Sequence, residues 1–115
     1  MGKPLRNQRR GKGSPAFAVP SHRFLSDGKY RVFNGKALIS DIVHDRGHSS
    51  PFLQIEYEDG KIGYIVAPEG VFKYDEISFG GSEVKLGNIL KLSAIPESVP
   101  ISNIESAPGD GGKFV

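Results

Sequence analysis

PFLQIEYEDGKIGYIVAPEG, Pro51 to Gly70, places two runs of alternating apolar and polar residues on either side of Asp59-Gly60. Asp-Gly between such runs signals a β-hairpin with a two-residue type I′ turn. That turn sets Glu58 opposite Lys61, Tyr57 opposite Ile62, Ile55 opposite Tyr64 and Leu53 opposite Val66. Because strand side chains alternate, Leu53, Ile55, Tyr57, Ile62, Tyr64 and Val66 then share one apolar face. The other face carries Gln54, Glu56, Glu58, Lys61 and Gly63, with Ile65 its one large apolar member. A face of this kind must be covered by further strands, so the hairpin predicts a small antiparallel β domain.

The flanking sequence supplies those strands. Lys36–His44 (KALISDIVH) is the first, but Leu38 and Ile42 fall on one parity and Ala37, Ile39 and Val43 on the other. A bulge, or a strand buried on both faces, accounts for that. Asp45–Pro51 is a polar loop, and Ala67-Pro68-Glu69-Gly70 ends the strand after the turn. Val71–Phe79 reads as one strand or a short bent hairpin, broken by Gly80-Gly81. Glu83–Leu92 turns at Gly87-Asn88 and continues through Ile89, Leu90 and Leu92. Val99–Glu105 is a last short strand. The expected fold is all-β: a small, five-stranded, OB-fold-like antiparallel barrel spanning residues 35–107. Residues 1–34 form an extended basic arm, disordered without a ligand, and residues 108–115 a linker.

Composition bounds the function. A chain of 115 residues fits one domain with tails, and 15 Gly with 8 Pro favour turns over helices. The lack of cysteine excludes a disulfide framework and suits the cytosol. No apolar run approaches the roughly 20 residues of a membrane helix, and no signal-peptide core is present. Met1-Gly2 does not open a myristoylation motif, because Arg6 stands where Ser or Thr is required.

The net charge of +2 conceals a division. Residues 1–36 hold nine Lys and Arg against Asp27 alone, a net +8, whereas the remainder holds six against twelve carboxylates, a net −6. A basic arm on an acidic body points to a polyanion, above all nucleic acid; folding of the arm back onto that body is the competing account. QRRGKGSP (Gln8–Pro15) mixes guanidinium groups with glycines and has too little apolar area to order itself. On RNA, its arginines can clamp phosphates and stack on bases. Phe17, His22, Phe24, Tyr30 and Phe33 interleave with the cations, as stacking requires. Phe24, Tyr30 and Phe33 serve equally well as a lid on the barrel.

Catalysis finds no foothold. His44 and His48, with Asp41 and Asp45 nearby, would pair on a helix, but the pattern is strand then loop and a third obvious ligand is lacking. No serine sits in a nucleophile elbow, and Pro108–Lys113 lacks Walker spacing. Glu56 and Glu58 read as a solvated face. No metal or other cofactor is expected.

A set of motifs in order carries a family resemblance. They are Gln8-Arg9-Arg10-Gly11-Lys12-Gly13-Ser14-Pro15, Pro20-Ser21-His22-Arg23 and Asp41-Ile42-Val43-His44-Asp45, then Ala67-Pro68-Glu69-Gly70 and Gly87-Asn88. Ile95-Pro96-Glu97, Asn103-Ile104-Glu105 and Pro108 to Phe114 complete the set. From about Gln8 to Val115 the chain resembles the N-terminal part of the universal large-subunit ribosomal protein L-two, in its archaeal and eukaryotic form. The resemblance implies a non-enzymatic, cytoplasmic, ribosome-bound protein that binds large-subunit ribosomal RNA beside neighbouring ribosomal proteins. It implies an OB-fold barrel followed by an SH3-like barrel and a basic extension, which on this reading lie beyond Val115.

The sequence also departs from the family pattern. Arg46-Gly47-His48 replace a Pro-Gly pair followed by Arg, Tyr74 stands near an expected turn glycine, and Leu86 replaces a proline. Tyr74 is expected to strain its turn. The expected RNA contacts are Arg9, Arg10, Lys12, Arg23 and Lys29 first, then Lys3 and Arg6. His22 could stack or donate a hydrogen bond, or act only as a turn residue; Arg46 and His48 are secondary. The alternative function is an interaction module that self-associates or binds a protein through an exposed strand edge.

Overall fold

The computed structural model describes residues 2–114; Met1 of the arm and Val115 of the linker lie outside them. The chain builds strands β1 (Gly35–Val43), β2 (Phe52–Tyr57), β3 (Ile62–Val66) and β4 (Glu76–Phe79). They form one four-stranded sheet in the order β3-β2-β1-β4, every pair antiparallel. The expected fifth strand and barrel closure are not formed among the described residues: the sheet is open.

β1 is bulged. Ile39 pairs with Ile55 and Asp41 with Gln54, leaving Ser40 without a partner across the ladder. The broken alternation of the first strand is thus a bulge, and Ser40 ties itself down by donating its hydroxyl to the Gln54 carbonyl at 3.0 Å. The pairs Ala37–Tyr57, Ile39–Ile55, Leu53–Ile65 and Ala37–Ile77 put these side chains on one face. With Phe79 they form the buried core, against which Tyr30, Phe33, Val71 and Ile89 pack.

The central hairpin is real, but its register differs by one residue from the expected one. Gly60 N–H donates to the Tyr57 carbonyl and Tyr57 N–H to the Lys61 carbonyl, each at 2.9 Å. This closes a three-residue loop, Glu58-Asp59-Gly60, in which only Gly60 has a positive φ, +81°. A type I turn with a left-handed glycine results, rather than the type I′ turn that would need Asp59 at positive φ as well. Asp59 is instead drawn to Arg31, which donates to its two carboxylate oxygens at 2.7 and 3.3 Å. The slip moves the whole of β3. Ile65 is buried at 2% exposure opposite Leu53, while Ile62 is 59% exposed. Gly63 lies under the Tyr57 ring, so close that a Cβ there would stand 2.9 Å from it.

The expected strand at Val71–Phe79 is shortened by a turn at Phe72–Asp75, where Asp75 accepts from Phe72 N–H at 2.9 Å. Tyr74 sits there at φ +72° and is 70% exposed, as its place at a glycine-type position foretold. A left-handed non-glycine residue costs about 1–2 kcal/mol, and the extra chain entropy of glycine offsets roughly half. Tyr74→Gly is therefore expected to stabilise the fold by about 0.5–1 kcal/mol, read as a rise in denaturant midpoint.

The expected strands at Glu83–Leu92 and Val99–Glu105 are absent, and isolated bridges take their place. Ile89 pairs with Phe79 and covers the outer edge of β4; Ile104 pairs with Phe114. Side chains hold this last region in place of a ladder. Glu105 accepts from Gly109 and Gly111 N–H, and Asp110 from Ser106, Ala107 and Gly112 N–H. The donors, led by Ala107 N–H, bring the Asp110 carboxyl down to about 2. The stretch expected as a linker thus closes on itself as far as Phe114.

Candidate nucleic-acid interface

The arm carries its cations on short turns. A helix, α1 (Arg6–Gly11), sets Arg6, Arg9 and Arg10 at i, i+3 and i+4, on one side of a single turn. Gln8 folds back to accept from Leu5 N–H at 2.8 Å, which satisfies one orphan donor of the first turn. Lys12 follows at the helix end, and a second turn, Ser21–Arg23, holds His22 and Arg23. Lys3, Arg6, Arg9, Arg10, Lys12, Arg23 and Lys29 are all exposed. Among the described residues none of them forms an ion pair with a carboxylate. These seven cations have therefore not been drawn onto the carboxylates of the acidic body, although Arg31, near the end of the arm, is paired with Asp59. The molecule is 62 Å along its longest axis, so these charges are strung out rather than gathered around one small anion.

From Phe24 onward the chain is fastened to the sheet. Asp45, at the end of β1, is fully buried, and its carboxylate is the anchor. It accepts from Gly47 N–H at 2.8 Å and from His48 Nδ1 at 2.7 Å, and the Leu25 N–H of the arm also favours its charged form. Burial pushes this carboxyl up, but those hydrogen bonds outweigh it and hold the group below its ordinary range. His48 stands between two rings, 5.1 Å from Phe24 and 4.8 Å from Phe52. Phe24 covers Gly47, where a Cβ would fall 2.3 Å from the ring. Gly28, at φ +66°, passes closely over Phe52 as well: a Cβ there would lie 3.0 Å away.

The placements sort the expected residues. Arg23 and Arg46, both exposed, directly precede Phe24 and Gly47, which meet beside the Asp45 anchor. His22 is exposed one residue further out. His48 has its Nδ1 committed to Asp45, leaving Nε2 as its free polar atom. Lys29 lies apart, beside Gly111. Of the interleaved aromatics, Tyr30 and Phe33 pack on the core, Phe24 holds the anchor, and Phe17 is 48% exposed. Tyr30 is held further by Asn103, whose Nδ2 donates to its hydroxyl at 2.7 Å.

Two cations of the basic region turn out to be structural. Arg31, besides holding Asp59, lies 4.9 Å over the Tyr57 ring and 5.2 Å over Phe33. Lys36 pairs with Glu76 at 3.0 Å. Asp45 was missed as the anchor, although Asp45-Arg46-Gly47 is the local signal of a carboxylate bonding the backbone two residues on. His44 is exposed, and among the described residues no three His, Cys, Asp or Glu side chains converge as metal ligands. No described helix is long and apolar enough to cross a membrane.

No protein-family model matches the chain. Curated relatives do. The large ribosomal subunit protein uL2 of Methanocaldococcus jannaschii is 52% identical over 123 aligned positions, covering 100% of this chain and 51% of the relative. The protein of the same name from Haloarcula marismortui is 47% identical, covering 99% of this chain and 50% of the relative. That from Methanobrevibacter smithii is 44% identical with 51% of its length covered. The chain thus spans about half the length of the curated relatives it matches. Sustained identity at this level, along the whole of a chain whose basic motifs anticipated it, places the chain in the large ribosomal subunit protein uL2 family.

Proposed function

We propose that the chain is a ribosomal RNA-binding structural component of the large ribosomal subunit, working on the cytoplasmic ribosome beside neighbouring ribosomal proteins. As a member of a ribosomal-protein family it is not an enzyme. The observation that carries the binding role is the set of seven exposed arm cations without carboxylate partners among the described residues. An unpaired Lys or Arg retains its full attraction for phosphate, and each phosphate it neutralises releases counterions. Arg9, Arg10 and Lys12 contact the sugar-phosphate backbone first, with Arg23, Lys29, Lys3 and Arg6 extending the track. His22, Arg46 and the free Nε2 of His48 adjoin it where the arm meets the sheet. In this reading the open sheet is the core of an OB-like body. The β1 bulge supports that reading, since bulges add the bend and twist a small barrel needs.

Titration of large-subunit RNA at several salt concentrations tests the role. If six to eight phosphates are neutralised, the log–log slope is about −4 to −7. The triple change Arg9→Ala, Arg10→Ala and Lys12→Ala flattens it by about 2. The same change shifts folding stability by less than about 0.5 kcal/mol, because all three side chains are exposed. An unchanged slope removes the arm from the interface.

A further inference from the structure

One groove, where the end of the arm passes the sheet, has a composition the phosphate track does not explain. The segment Ser26–Arg31 runs beside β3, the edge strand of the sheet, in the opposite direction: Gly28 lies at Val66, and Arg31 reaches Asp59 before the strand begins. Among the described residues no backbone hydrogen bond joins the two. They stand apart, and the gap is a groove of about 390 Å³. Ligand sites begin at roughly 300 Å³, so this one is large enough for a single nucleotide but not for a duplex.

The walls are fixed. Tyr57 is held under the Arg31 guanidinium, Arg31 by Asp59, and Tyr30 by Asn103. Gly63 contributes no side chain to the groove, and the Tyr57 ring fills the space a Cβ would take. The groups left unengaged are Lys29 and Lys61, neither in an ion pair among the described residues, the half-buried Tyr64, and Asp27. Two ammoniums suit a phosphate, an aromatic ring suits a base face, and a carboxylate accepts from a base amino or imino group. A free strand edge adds backbone N–H and C=O groups that face the gap.

We infer that this groove takes one unstacked nucleotide of single-stranded RNA, its base against Tyr64 and its phosphate between Lys29 and Lys61. The inference rests on the RNA-binding reading and deepens it, giving the body a part in recognition beside the arm. Asp27 makes the site selective. It favours guanine, cytosine or adenine, which present N–H donors on the edges where uracil presents mostly carbonyls.

Amide chemical-shift mapping of the full chain with unstructured RNA pentamers tests it. Pentamers containing guanine or adenine are expected to shift Lys29 and Lys61–Tyr64 amides, with inorganic phosphate producing no comparable change. Tyr64→Ala is expected to weaken pentamer binding about 5-fold or more. Lys61→Glu, an exposed change that spares the fold, does the same by reversing one charge. Equal shifts from inorganic phosphate would reduce the groove to an anion site and overturn the nucleotide assignment. Binding of folded large-subunit RNA with a silent groove would also overturn it, while leaving the arm's role intact. Failure of both RNAs would overturn the groove together with the reading beneath it.

Discussion

Ile65→Ala is expected to cost about 2–4 kcal/mol and Ile62→Ala less than about 1 kcal/mol, a contrast that reports the register of the central hairpin. Ile65 is 2% exposed and packs opposite Leu53, so truncation opens a cavity in the core. Ile62 is 59% exposed, and its loss leaves no void. A two-residue Asp-Gly turn would invert the ranking, because every β3 side chain would change face. Native proteins are stable by about 5–15 kcal/mol, so the core change removes a large share. Chemical denaturation of the two variants decides the matter, and equal losses would contradict the observed pairing.

Acid should release the arm from the sheet before the sheet itself comes apart. Asp45 and Asp110 are both held below the ordinary carboxylate range in the folded chain, Asp110 at about 2. A carboxyl depressed in this way contributes fully above its unfolded value near 4, and the contribution fades as pH falls through the folded value. Stability is therefore expected to be flat from neutral pH down to about 5 and to decline between about 4 and 2. Asp45→Asn removes the charge and one acceptor oxygen from a fully buried site that holds Gly47 and His48, and through them the Phe24 ring. Its expected effects are a lower melting temperature, a shallower acid decline, and exchange-broadened resonances at Phe24 and Leu25 while β2 stays protected. Uniform loss across sheet and arm would show that Asp45 does not act as a local fastening.

The hairpin, the bulge and the cationic arm were legible because each is written in neighbouring residues. Alternation around Asp59-Gly60 located β2 and β3, and broken parity in Lys36–His44 announced the bulge. The register was not legible, because Asp-Gly serves a two-residue or a three-residue loop alike, and the Arg31–Asp59 pair that accompanies the longer one spans 28 residues. The last two expected strands failed for a related reason. Their apolar content is suitable, but the backbone donors that follow Glu105 go to the Glu105 and Asp110 side chains, and Ile104 finds an isolated bridge to Phe114 rather than a neighbouring strand. Of the candidate contacts, the arm cations needed only counting and exposure. The anchoring of His48 and the structural employment of Arg31 needed partners that no local pattern identifies.

The unpaired Ser40 makes β1 two half-strands spliced out of phase. Past the splice Ile42 stands opposite Leu53 yet is 41% exposed, whereas Ala37 and Ile39 before it are buried. The second half of the strand has therefore lost the deep cover of the first, and Ile42 should accept a polar side chain that Ile39 would not.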